Sequence, residues 1–433
     1  MMQRLVYILI LAILLVEFLM KAIQPLARMG SLIPDLLSVV ASLMIIGWFG
    51  YSKLINIHPK YILLLVVFLV HFTAGTIINE VSPGAIVAGM RNYLKFIPFF
   101  LLPAVYCFSD DEMRRQLWLI MMLALLQFPI VLFQRFVSQA GVATGDYITG
   151  TLNISSELSL FLIACIALWF SFYLKKRITK PIFLLGIAAL FLPTTLNETK
   201  GTLILLPIAL AIPAVLVAKM EGRLSSLLPM GLIGILLVSV FVGLYSFSKG
   251  GKDASVVDYF AKGRFVEELY RGAEGKSEFD SEEVVGRVDS YVLAASTLSE
   301  TPLYLLMGLG AGNVAQAFHP LLAGKYTDEL EHMQPKRTAL AILLWELGLI
   351  GMMLILLGCW LVYLDCRQVR KRDDFSGVFA VGWSAIVVLY VVSLTYKNVL
   401  IWNVVGYFFF YFSGYVAASR VAETPLINSP KLQ

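Results

Sequence analysis

Twelve apolar stretches, each close to the length that crosses a bilayer, follow one another with little between them until one hydrophilic stretch, Lys249 to Pro335, interrupts the series. A helix rises about 1.5 Å per residue and the hydrocarbon layer is about 30 Å thick, so roughly 20 mostly apolar residues make one crossing. On that rule spans fall at 5–20, 34–51, 61–79, 96–108, 116–136, 156–174, 181–197, 201–218, 226–247, 337–363, 376–395 and 398–419. The stretch at 96–108 is short and carries Pro98 and Pro103, so it either begins earlier, near Ile86, or is kinked. With 59% hydrophobic residues the chain has more apolar surface than a water-soluble core can hide, and the expected class is an all-α polytopic membrane protein. The division is 1–248 with nine spans, a hydrophilic loop at 249–336, 337–420 with three spans, and a tail at 421–433.

Lysine and arginine beside short loops set orientation. Lys175, Lys176, Arg177 and Lys180, the pair Lys219 and Arg223, and the set Arg367, Arg370, Lys371 and Arg372 share one face if spans alternate. That face is expected to be cytoplasmic, with both termini inside and the long loop exported. The first apolar stretch lacks the small-residue pattern of a cleaved signal and reads as a retained span. Cys107, Cys165, Cys359 and Cys366 lie in or beside spans and imply no disulfide framework. The net charge of +5 follows the orientation signal, and no basic stripe with interleaved aromatics suggests nucleic acid.

Acidic residues outnumber basic ones in the exported segment. Asp280 or Ser281 is placed to cap a helix carrying Val284, Val288, Tyr291, Val292 and Leu298 at helical spacing, with Arg287 near its start and Pro302 as its stop. The run LLMGLGAGN, Leu305 to Asn313, follows. It reads either as a phosphate cradle or as a tight turn returning the backbone to the bilayer.

Outward-facing exceptions to the charge rule are the candidates for chemistry. Lys200, Arg287 and the pair Lys336 and Arg337 stand at the outer boundary and suit an anionic ligand such as a lipid carrier's diphosphate. The alternative is cations that snorkel and anchor helix ends. Arg91, Lys95 and Arg135 belong to the same face, and Lys397 is a further exception. Candidate bases are Glu198, Asp289, Glu331, His332 and Glu346, the last inside a span, where an ionisable group is costly. Arg337 and Glu346 are nine residues apart and face opposite sides of a helix, so they are not one simple pair. The histidines and acids of the loop lack metal-ligand spacing, and His71 reads as a packing residue.

Several stretches together resemble the superfamily of O-antigen ligases and O-antigen or exopolysaccharide polymerases. Gly150-Thr151-Leu152-Asn153 is similar to the family's Gly-Thr turn. Asn197 to Gly201 sits where members carry Ser-Arg-Gly. The run Arg287 to Asn313 is an arginine-led helix, a proline and a Gly-x-Gly-x-Gly-Asn turn. Trp345 to Gly351 resembles the family's Glu-x-Gly-Leu-x-Gly span. The chain departs from the pattern twice: Lys200 replaces an arginine, and the family histidine's position holds Arg337, with His332 five residues earlier.

The resemblance implies a GT-C-like membrane protein of the bacterial cytoplasmic membrane with its site facing the periplasm or exterior. It implies inverting, metal-independent and cofactor-free glycosyl transfer from an undecaprenyl-diphosphate-linked oligosaccharide. A glycan acceptor makes the protein a polymerase, the first expectation, and a lipid A core acceptor makes it a ligase; a chain-length regulator is a further expected partner. Arg287, Arg337, His332 and Glu331 take catalytic roles in this reading, and Lys200, Arg91, Arg135, Lys336 and Asn313 hold diphosphate or glycan. A flippase for lipid-linked sugars and a non-catalytic scaffold are the competing classes.

Overall fold

The apolar runs form helices because only a helix satisfies its own backbone polar groups within hydrocarbon. A computed structural model describes residues 2–16, 18–19, 32–52, 55–139, 145–222, 227–248, 261, 263–270, 285–314 and 319–421. Its helices are α1 (Met2–Leu11), α2 (Ile33–Ser52), α3 (Pro59–Ile78), α4 (Pro83–Tyr93), α5 (Ile97–Tyr106), α6 (Asp110–Phe133), α7 (Ser155–Leu174) and α8 (Lys180–Leu196). They continue with α9 (Thr202–Glu221), α10 (Leu227–Ser248), α11 (Arg264–Leu269), α12 (Arg287–Ser299), α13 (Pro302–Met307), α14 (Ala339–Val369), α15 (Phe375–Tyr396) and α16 (Asn403–Val421). No strand occurs among the described residues.

A helix occupies each of the twelve expected segments, and among the described residues seven are long and apolar enough to cross a membrane, or eight if the bent pair α4 and α5 counts as one. Two of the helices outside that set differ for physical reasons. α8 has 17 residues. α16 carries Tyr407, Tyr411 and Tyr415, all buried, and a helix packed inside the bundle need not be apolar throughout. The segment at 96–108 holds α5, which follows α4 across a bend of 49°. The chain is thus an all-α protein with several apolar helices of membrane-crossing length.

Within the exported segment, the caps assigned to Asp280 or Ser281 lie outside the described residues. The helix itself begins at Arg287, later than the periodicity from Val284 suggests. Val285 is tied down instead. Its N–H donates to Gln334 Oε1 at 3.3 Å, its carbonyl accepts from Arg337 Nε at 3.1 Å, and Gly286 is extended at φ −60°, ψ 153°.

The Gly-Thr turn before α7 is clamped from α6. Gln127 and Gln134 stand seven residues apart on one helix face, and each exchanges a pair of hydrogen bonds with the turn, Gln127 with Thr151 and Gln134 with Gly150, at 2.7–2.9 Å.

α14 is broken at Gly348, whose φ of 63° and ψ of −170° belong to glycine almost alone. The break strands the carbonyls that residues a turn later would have bonded. Leu309 N–H donates to the Trp345 carbonyl at 2.7 Å, Gly310 N–H donates to that of Glu346 at 3.1 Å, and His71 Nε2 lies 2.8 Å from that of Leu347. The glycine-rich turn after α13 is therefore the partner of a broken helix. A Cβ on Gly312 would come within 2.0 Å of the Ala85 carbonyl oxygen, so the approach needs glycine. This geometry favours the tight-turn reading of LLMGLGAGN over a phosphate cradle, since the N–H groups of Leu309 and Gly310 are already engaged.

Candidate functional site

One group of charges gathers where α8 meets α9, α12 begins, α14 begins and α15 ends. The connection from α8 to α9 is a tight turn in which Glu198 takes a left-handed φ of 56°. Asn197 anchors it, donating to the Ser155 carbonyl at 2.9 Å and to Ser159 Oγ at 2.8 Å. The turn delivers Lys200 to Glu268 of α11, Nζ to Oε1 at 3.3 Å. Arg287, in the first turn of α12, reaches the other oxygen of the same carboxylate, Nη1 to Oε2 at 2.5 Å. Its side chain is 8% exposed, and its guanidinium lies 4.0 Å from the ring centre of Tyr396. That ring also approaches Gly201, where a Cβ would sit 3.3 Å from Tyr396 Cε1.

Arg337 joins through the pairing of its turn with Val285, just before Arg287. Thr338 caps α14 by accepting from the Ala341 N–H at 3.1 Å, and its hydroxyl lies 3.2 Å from that of Ser290 in α12. Ala339 N–H donates to the Lys397 carbonyl at 3.1 Å, which pins the end of α15 to the start of α14. Burial lowers the Lys397 ammonium to about 8, and the fields of Arg287 and Arg337 add to that shift, while Asp146 and Glu268 oppose it. Four cations, Lys200, Arg287, Arg337 and Lys397, thus share a neighbourhood with the carboxylates of Glu268 and Asp146. Glu268 spans two cations with its two oxygens, as a phosphate group would.

No protein-family model matches the chain, and no curated protein matches its sequence. The functional reading therefore rests on geometry.

The remaining candidates take other places. Arg135 reaches Glu198 at 3.3 Å, on the turn that carries Lys200. Arg91 does not join the cluster's contacts: its Nε lies 2.6 Å from Asp35 in the first turn of α2. Lys95 shares that acid at 3.5 Å and donates to Asn403 at 2.9 Å. Asn313 is buried, with its amide spent on the turn. Its Nδ2 donates to the Leu309 carbonyl at 2.9 Å, and its Oδ1 accepts from the Lys325 N–H at 2.9 Å.

Lys336 belongs to a different setting from Arg337. Burial lowers its ammonium and the field of Glu346 opposes that shift. Glu346 is fully buried beside the break in α14, accepting from Tyr93 Oη at 2.7 Å and from the Val314 N–H at 3.4 Å. Arg337 and Glu346 thus have different neighbours, as their spacing requires. Glu331 and His332 lie on an exposed helical turn, Glu331–Met333, ahead of Arg337.

Sequence reasoning passed over Glu268, Tyr396 and Asp146, and named Lys397 only as an exception to the charge rule. That exception was its one available signal. Glu268 offered none, being one acid among many in the exported segment.

Proposed function

We propose that this protein is an inverting membrane glycosyltransferase that uses a lipid-diphosphate-linked glycan as donor, with polysaccharide polymerase as the first reading and ligation to a lipid A core as the alternative. The observation that carries it is the grip of Lys200 and Arg287 on the two oxygens of one carboxylate, with Arg337 and Lys397 alongside. A diphosphate offers the same pair of anionic oxygens with more charge.

The acceptor hydroxyl oxygen bonds to the anomeric carbon as the bond from that carbon to the diphosphate oxygen breaks. The leaving diphosphate gains negative charge, so cations held in place beforehand stabilise the transition state more than the ground state. Lys200 supplies a point charge, and Arg287, stacked on Tyr396, keeps a fixed fork. Proton acceptance from the hydroxyl falls to His332 or Glu331, which stand on an exposed turn open to an incoming glycan. The setting in this reading is the bacterial cytoplasmic membrane, with the cluster on its outer face.

The broken α14 and the bent pair α4 and α5 are features that transporters also use, with freed carbonyls coordinating the substrate. Here the carbonyls of Trp345, Glu346 and Leu347 are taken by the protein's own groups, which favours the enzyme over the flippase. Incubating purified protein with a lipid-diphosphate oligosaccharide, with and without a lipid A core acceptor, and sizing the products tests the reading. A ladder supports polymerase and a single core-linked product supports ligase. Unchanged donor under both conditions overturns the glycosyltransferase assignment.

A further inference from the structure

Lys397 differs from its neighbours in the cation cluster. Lys200 and Arg287 touch the Glu268 carboxylate and Arg337 touches the Val285 carbonyl, whereas the Lys397 ammonium makes no hydrogen bond or ion pair among the described residues. Its backbone is fixed on both sides: its N–H donates to the Ser393 carbonyl at 3.0 Å and its carbonyl accepts from Ala339. Among the described residues, the charged and titratable groups whose fields reach it are Arg287 from α12, Arg337 from the turn before α14, Asp146 from the turn at 145–147 and Glu268 from α11, with Tyr396 adjoining. A half-buried lysine whose ammonium meets no hydrogen-bond or ion-pair partner among the described residues is placed to take a ligand that brings negative charge.

We propose that Lys397 joins Arg287 and Arg337 as a ligand for a phosphate-bearing anion, and that it takes up a proton when that anion arrives. The inference deepens the glycosyltransferase reading, on which its choice of anion rests. Guanidinium groups do not release protons at accessible pH, so crowding among these cations is relieved at the ammonium. The site without ligand therefore holds a neutral amine part of the time above pH 8. A bound dianion reverses the balance, because opposite charge at close range favours the protonated form. Amine, proton and anion combine into an ammonium paired with the anion, the proton coming from solvent.

This role differs from that of a general base. A base would have to stay neutral while the donor's diphosphate lies against it, and that diphosphate is what restores the charge.

The test is calorimetric titration of the full-length protein in detergent with inorganic pyrophosphate at pH 8.5, in two buffers of different ionisation enthalpy. Pyrophosphate's own protonation is common to all variants and cancels in the difference between native protein and Lys397→Arg. The native protein is expected to take up about 0.7 of a proton more per ligand than Lys397→Arg at pH 8.5, and no more than it at pH 6.5. Lys397→Met is expected to bind about tenfold more weakly at pH 6.5. Equal uptake by native protein and Lys397→Arg at pH 8.5 would overturn the proposal.

A measurement on native protein alone guards against variants that fail to fold. Amine-reactive labelling at pH 8.5, mapped by mass spectrometry, should modify Lys397 and be suppressed by pyrophosphate; labelling indifferent to pyrophosphate overturns the inference. Proton-linked binding without any glycosyl transfer would remove the proposed reaction and leave this site standing. Glycosyl transfer without the linkage would do the reverse.

Discussion

The two ends of α14 carry charged groups built on opposite principles. Its far end holds Asp365, fully buried, with one oxygen 2.6 Å from Lys60 Nζ and also bound by Arg420, and the other accepting from Tyr61 Oη at 2.6 Å. Those partners come from α3 and α16, so one carboxylate ties three helices together. Its near end places Arg337 beside Arg287 and Lys397, with Lys200 reached through Glu268, whose carboxylate is 28% exposed, and with Asp146 as a second acid among the described residues. Roughly 40 Å of helix, at about 1.5 Å per residue, separates the two before the bend at Gly348 is allowed for. The Asp365 group is a lock with a saturated acid at its centre. In the proposed reading the Arg287 group is a receptacle whose half-buried acid a stronger anion displaces.

The contrast sets the size of the expected effects. Arg287→Ala is expected to lower turnover of a lipid-diphosphate glycan by about 10³-fold while the protein still inserts and accumulates, because in the proposed reaction it removes charge that stabilises the leaving group. Product sizing against protein amount by immunoblot checks it. Asp365→Asn is expected to destabilise the fold by about 3 kcal/mol, seen in thermal unfolding in detergent, because two cations lose their shared anion. At a temperature where the variant stays folded, its activity should be near native, which an anion site would not allow.

How much of this was legible in the chain depends on the range of the pairing. Hydropathy located the helices because lipid exposure demands apolar residues locally. Among the described residues seven helices, or eight with the bent pair, have the length and composition of a span; α8 is shorter, and α16 carries polar side chains inside the bundle. Lys200, Arg287 and Arg337 were visible as cations at apolar boundaries, and the fold does bring them together. Arg91 looked the same, yet Asp35, 56 residues earlier, takes it. Glu268 lies 68 residues from Lys200, and nothing local marks an acid that will bridge two distant cations. Asn313, expected to hold diphosphate or glycan, is buried at the end of its glycine-rich turn, where its amide bonds the Leu309 carbonyl and the Lys325 N–H.

Smaller effects sharpen the comparison. His332→Ala or Glu331→Ala is expected to reduce turnover by about 10²-fold, according to which of them takes the acceptor's proton, with donor binding retained. Steady-state kinetics on the two variants separates them. Glu268→Gln is expected to tighten pyrophosphate binding about threefold to tenfold, because the internal competitor loses its charge. At the lock the matching change does harm: Asp365→Asn loses stability where Glu268→Gln gains affinity.

Lys397 adds a pH dependence. Its folded value near 8 lies below the usual lysine value of 10.5, so the unfolded chain binds more protons between those limits. This residue's contribution to stability therefore rises with pH from about 8 to 10.5 and is most unfavourable below 8. Thermal unfolding of native protein and Lys397→Met across that range should converge as pH increases.

The most direct test of the cation receptacle is donor consumption by native protein, Arg287→Ala and Arg287→Lys at equal protein amounts. The account predicts extended or transferred glycan and released lipid diphosphate for the native chain, almost none for Arg287→Ala, and partial recovery for Arg287→Lys. Native-level product from Arg287→Ala would contradict it.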